Sequence, residues 1–282
     1  MIRPSFDITP AQGSEEAIRE GRVLMEIGDR LFTYAILDKD CQRLIALRHY
    51  TIDNHSHSFV DSLSGIISAD DLLRDKKQDA IVIYNYPESS LIPSKLYDHS
   101  LMKPITDLVY GDLTRGMVLS EKISPWDIYN IYRVPQEVHR FAIQQFAGGK
   151  YWHYYSLLLS SIDKEALSFD GEIRLIFYTD RFIAAAFKHN QLQLIQTFNY
   201  QTPEDVAYYI LSICQQLNFD VNLVVLQLSG LIDEQSALFT ELLKYFQRVN
   251  CLAGPAEIDT AELLESYPPH YFSPLLNLAL CV

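Results

Sequence analysis

The chain has 282 residues, 48% of them hydrophobic and 21% charged, which excludes a largely disordered protein and suits one large domain or two of moderate size. A net charge of −13 repels phosphate backbones and anionic lipid, so neither nucleic acid nor membrane is an expected partner; the densest basic stretch is only Arg74 to Lys77. Four cysteines (Cys41, Cys214, Cys251 and Cys281) stand without CxxC spacing, the N-terminus lacks the apolar core of a signal peptide and no window reaches membrane-span length, so a cytoplasmic, bacterial-type protein without a metal site is expected.

Residues 1–20 are polar and hold Pro4, Pro10 and Gly13; they read as an extended arm or edge strand. Three strand-like runs follow, RVLMEIG, RLFTYAILD and RLIALRHYTI, separated by turn material at Gly28-Asp29 and at Asp38 to Gln42. Phe59, Leu63, Ile66, Ile67 and Leu72 recur at helical spacing, and DAIVIYNY reads as a buried strand. Residues 87–134 hold several short strands and read as a small inserted subdomain. QEVHRFAIQQFA is then a helix stopped at Gly148-Gly149, KYWHYY a strand, and SLLLSSIDKEAL a helix that completes a first domain over 21–166.

A second domain over 167–282 repeats the order. EIRLIFYT, RFIAAAFK and LQLIQTFNY are strands. TPEDVAYYILSICQQLN is a helix with Thr202 as cap, Pro203 in its first turn and Asp205 completing a capping box. NLVVLQLSG is a buried strand, DEQSALFTELLKYFQ a helix capped by Asp233, and RVNCLAG a short strand. PHYFSPLLNLALCV is expected to pack into the second domain as a helix or other terminal element, because Leu275, Leu276, Leu278 and Leu280 are too apolar to leave in water. The letters repeat with the elements: Leu24 aligns with Leu175, Asp29 with Asp180, Arg30 with Arg181 and Tyr50 with Tyr200. A repeat in both letters and element order points to duplication.

Two tandem β-β-β-α-β-α units with an insertion in the first resemble the actin-like ATPase superfamily, which includes actin, sugar kinases and heat-shock chaperones. The stretches PESSLIPSKLYD, NYQTPEDVAYYIL, LQLSGLIDEQSAL and HYFSPLLNLAL are similar, more narrowly, to an uncharacterised bacterial family with that fold. The resemblance implies an α/β fold of two duplicated actin-like domains with ribonuclease-H-like topology. It also implies where nucleotide would meet the chain. Each half of such a protein opens on a hairpin with an Asp-x-Gly turn, the acid placing metal or water and the glycine admitting phosphate to backbone N–H groups. Here Glu26 and Gly28 match that turn in the first half, with Asp29 beside them. In the second half Phe177 and Thr179 fall on the two positions, followed by Asp180. The adenosine-contacting double glycine is matched by Ser229-Gly230.

Two of three nucleotide loops thus depart from the pattern, and the groups that phosphoryl transfer requires are not apparent. The expected function is a non-catalytic binding or scaffolding protein with a protein partner and no cofactor. The alternative is a divergent ATPase or kinase that uses ATP with Mg at Glu26, Gly28, Asp29, Thr179, Asp180, Ser229 and Gly230. Other features read structurally. Asp53 to His57 holds His-x-His but lacks a convergent ligand set, Gly148 to Lys150 lacks the spacing of a phosphate loop, Tyr151 to Tyr155 is core material, and His139 and His153 have no triad partners.

Overall fold

A computed structural model describes residues 2–10, 15–52, 58–73, 80–112 and 116–281. The stretches around Asp53 to His57 and Arg74 to Lys77 lie outside them.

The first half begins with β1 (Phe6–Ile8) and α1 (Glu15–Glu20), then β2 (Arg22–Gly28), β3 (Leu31–Leu37), β4 (Leu44–Thr51), α2 (Phe59–Ala69) and β5 (Ile81–Asn85). Of the expected arm, β1 is an edge strand paired with β4, whereas α1 departs from the extended reading: Glu-Glu-Ala-Ile-Arg-Glu are nearly all strong helix formers. The insertion holds β6 (Ser89–Pro93), α3 (Met102–Tyr110), β7 (Gly116–Ile123) and β8 (Ile128–Pro135), its strands forming a separate antiparallel sheet in the order β6-β8-β7. Next come α4 (Gln136–Gln145), β9 (Lys150–His153) and α5 (Tyr154–Ser160). The expected strand through Tyr155 stops at His153 because that side chain caps α5, accepting from Tyr155 N at 3.2 Å.

The second half holds β10 (Glu172–Phe177), β11 (Arg181–Lys188), β12 (Gln191–Asn199), α6 (Pro203–Gln216), β13 (Val225–Gly230), α7 (Ala237–Leu243), β14 (Arg248–Cys251), α8 (Ala261–Leu264) and α9 (Ser273–Ala279). The predicted capping box of α6 is present in both directions. The cap of α7 is Ser236 instead of Asp233; Ser236 Oγ accepts from Phe239 N at 3.1 Å, while Asp233 accepts from Gln235 N within the preceding turn.

Apart from the extra edge strand β1, the two large sheets share one strand order. The first reads β1-β4-β3-β2-β5-β9 and the second β12-β11-β10-β13-β14. In each, three strands meander antiparallel and the two following strands join in parallel. Even the irregularity repeats: the register shifts between Ile36 and Leu37 in one sheet and between Ala186 and Phe187 in the other.

Strand register corrects the letter alignment by one residue. The last hairpin pairs are Ile27↔Phe32 and Phe177↔Phe182, so Asp29 corresponds to Thr179 and Arg30 to Asp180. The cores agree: Val23, Met25 and Ile27 line one, and Ile173, Leu175 and Phe177 line the other. A slip of one residue would send each set to the opposite face of its sheet. Beyond the second strand the correspondence shifts again. Tyr50, opposite Phe32, matches Phe198, opposite Phe182, and not Tyr200.

The chain divides into two compact units. One runs up to Ser161 and takes in Glu257–Leu263 and the residues from Leu278; the other comprises Ile162–Ala256 and Leu264–Asn277. The C-terminal stretch is therefore shared between the units, where one domain over 167–282 was expected. The backbone explains why: Leu44 N donates to Asp259 O at 3.0 Å and Asp259 N to Gln42 O at 2.6 Å, tying Asp259 to the turn before β4. In α9, Leu275, Leu276 and Leu278 are buried as expected, whereas Leu280, past the helix end, is 45% exposed.

Candidate functional site

The seven candidate residues form two groups, one in each unit. In the first unit Glu26 sits on β2 and is buried, its Oε1 accepting from Asn85 Nδ2 at 2.6 Å. Asn85 ends β5 and pairs in parallel register with Gly28. A buried carboxylate and amide thus lie at the carboxyl ends of two adjacent parallel strands, where open α/β sheets place ligands. Asp29 and Arg30 form the exposed turn beyond. Asn85 was not foreseen, because its pairing with Glu26 depends on strand register across 59 residues.

In the second unit Thr179 and Asp180 form an exposed two-residue turn closed by Tyr178 N donating to Arg181 O at 2.8 Å. By register, Ile176 takes the place of Glu26 and Tyr178 that of Gly28, so both the acid and the glycine are replaced here. The Arg181 guanidinium lies over the Tyr178 ring, 5.3 Å from its centroid.

Ser229 and Gly230 end β13. Ser229 Oγ is buried and donates to Leu175 O at 3.4 Å. Gly230 adopts φ +81°, and a Cβ there would stand 2.3 Å from Phe177 O. Only glycine fits both conditions. The turn's donors are bonded within the protein: Gly230 N donates to His270 O and Leu231 N to Phe177 O, each at 2.8 Å. His270 is 1% exposed, and its Nε2 is 2.6 Å from Ile232 O. Its other ring nitrogen, Nδ1, is buried with no hydrogen-bond partner. A ring nitrogen of His270, the Cys251 sulfur and a Glu234 carboxylate oxygen lie within 4.8 Å of one another. Burial, and then the Glu234 carboxylate that accepts its hydrogen bond, push the Cys251 thiol up to about 12. The cluster has no sequence signature, because its members come from a strand end and two loops well separated in the chain.

Two meandering sheets of one topology, each continued by parallel strands, define the actin-like class. A protein with actin-like ATPase fold and unknown function from Bacteroides thetaiotaomicron VPI-5482 superposes with a TM-score of 0.77 at 17% identity, covering 95% of this chain and 99% of that one. A structure of the PilM-PilN type IV pilus biogenesis complex gives 0.61 at 11% identity, covering 92% and 97%. The ethanolamine utilization protein EutJ from Carboxydothermus hydrogenoformans gives 0.51 at 8% identity, covering 98% and 92%. The chain belongs to the family of proteins of unknown function DUF3822, whose model matches residues 14–249. No curated protein matches it in sequence. Among the described residues, no helix is long and apolar enough to cross a membrane.

Proposed function

We propose that this protein is a non-catalytic actin-like module that binds or scaffolds a protein partner. The observation that carries this reading is the closed turn at Gly230. Nucleotide-binding turns work by offering unpaired backbone N–H groups, and here those of Gly230 and Leu231 already bond to His270 O and Phe177 O. The second hairpin adds to it, since Tyr178 and Ile176 replace the glycine and the acid. The PilM-PilN structure gives a precedent for this fold within a protein complex. In the inserted subdomain Leu96, Leu101, Leu108 and Val109 are exposed, Leu108 at 86%, which suits contact with a protein.

The rival reading, a divergent ATPase using ATP with Mg, draws on the buried Glu26–Asn85 pair in the first unit. Phosphate release in Mg-ATP separates the two. The expected result is no turnover above background for the native protein, Glu26→Ala and Asp180→Ala alike. Turnover that either substitution abolishes would establish the ATPase instead. Thermal melting adds a second readout, because ATP at 100 times its dissociation constant would stabilise the fold by about 2.7 kcal/mol.

A further inference from the structure

We propose that Glu234, Cys251 and His270 form a zinc-binding site at the carboxyl ends of β13 and β14. Cys251 is the last residue of β14, Glu234 lies in the loop after β13, and His270 lies ahead of α9. A strand end and two loops converge on one point, and one ligand atom from each residue already lies within 4.8 Å of the other two.

His270 carries the argument furthest. Its Nε2 faces the Ile232 carbonyl at 2.6 Å. A carbonyl only accepts, so Nε2 holds the proton and Nδ1 presents a lone pair. That lone pair is buried and unpartnered. An orphaned buried acceptor is unfavourable, and a bound cation would offset its cost. The arrangement is also the usual one for a metal-binding histidine: a backbone carbonyl holds one ring nitrogen, fixing the tautomer and aiming the other at the ion.

The donor set selects the ion. Sulfur, imidazole nitrogen and one carboxylate suit Zn²⁺ or its substitute Co²⁺, whereas Mg²⁺ and Ca²⁺ take oxygen. Zinc bonds of about 2.0–2.3 Å in a tetrahedron put ligand atoms roughly 3.3–3.8 Å apart, so the cluster has at most about 1.5 Å to close. Glu234 is exposed and supplies that movement. Binding converts the Cys251 thiol to thiolate, and its proton passes to solvent. Water completes the fourth position. The metal would fasten the His270 segment across the turn that its carbonyl caps.

The test uses the full chain, stripped with a chelator and titrated with Zn²⁺ against a chromophoric competitor, then with Co²⁺. One Zn²⁺ per chain is expected, with a rise in melting temperature. The Co²⁺ form should show a thiolate-to-cobalt charge-transfer band. Cys251→Ser should remove that band, and Glu234→Gln should weaken Zn²⁺ binding about 10-fold to 100-fold or more. Both side chains lie outside the fully buried core, and metal-free melting of each variant checks that it folds. Absence of stoichiometric Zn²⁺ binding by the folded native chain, or equal affinity in both variants, would overturn the site.

Discussion

At the scale of single residues, Gly230 shows how an anticipated residue can serve another purpose. The sequence marks Ser229-Gly230 as a turn at the adenosine position, and glycine there suggests close approach of a purine. The structure supplies a different neighbour: the backbone of Phe177 on the adjacent strand. Gly230→Ala must therefore push β13 away from β10 while also straining a positive φ. A loss of about 3 kcal/mol is expected, read as a lower urea midpoint of the native chain. An unchanged midpoint would mean that the close approach is absent. Glu26 was visible as an acid for the same reason that Asn85 was not: composition reveals a carboxylate, whereas its partner depends on the parallel register of β2 and β5. The Asp-Arg echo misled by one residue because matching turn letters outweighed the alternation of faces. Val23, Met25 and Ile27, set beside Ile173, Leu175 and Phe177, carried the correct register all along.

At the scale of elements, start signals were legible where they were unique. Thr202-Pro203-Glu204-Asp205 contains a single capping arrangement, and Gln201 N and Thr202 N both donate to Asp205 Oδ2 at 2.9 Å. These two backbone donors hold the Asp205 carboxyl below its usual range, and Asp205 N donates in return to Thr202 Oγ1 at 3.3 Å. The stretch before α7 holds two cap-capable residues, Asp233 and Ser236, and local pattern does not choose between them. Helical backbone begins only at Ala237, which leaves Asp233 to order the turn through Gln235 N. Ser236→Ala is expected to lower stability by about 1 kcal/mol. Asp233→Ala should cost less than half of that, since it removes a turn contact and leaves the cap intact. Denaturation curves of the two variants measured together test the ranking, and a larger loss for Asp233→Ala would reverse the assignment. The divided C-terminal stretch had no comparable signal, because the bonds that tie Asp259 to the turn before β4 include backbone ones, and backbone pairing leaves no mark in the residue letters.

At the scale of the molecule, the repeated strand order was legible because each element carries its own period and punctuation. The buried polar chemistry was not, and it governs how stability depends on pH. His49 and His153 both lie in the first unit, and burial lowers each to about 4. Thr33 Oγ1 lies 2.7 Å from His49 Nδ1. His153 Nδ1 accepts from Tyr155 N at 3.2 Å, while Nε2 donates to Tyr86 O at 2.9 Å, so the fold holds the neutral ring. In the unfolded chain both rings protonate near 6.5. Between about pH 6.5 and pH 4 the unfolded state therefore binds more protons, and stability falls as pH falls. The stability that neutral rings allow is complete above the unfolded value and is lost as pH drops through the folded one. Each ring sets an upper bound of about 3 kcal/mol on that loss. Glu121 acts in the opposite sense: burial raises its carboxyl, so its contribution is present at low pH and is lost as pH rises. His139, in the same unit, is also lowered by burial, and with three rings set against one raised carboxyl the urea midpoint of the first unit is expected to drop steadily from pH 7 to pH 4.5. His49→Gln, which keeps a hydrogen-bonding group near Thr33 but cannot titrate, should flatten that slope measurably without abolishing it, since His139 and His153 still titrate. A midpoint independent of pH across this window, or a slope unaltered by the substitution, would show that the buried rings do not control acid stability.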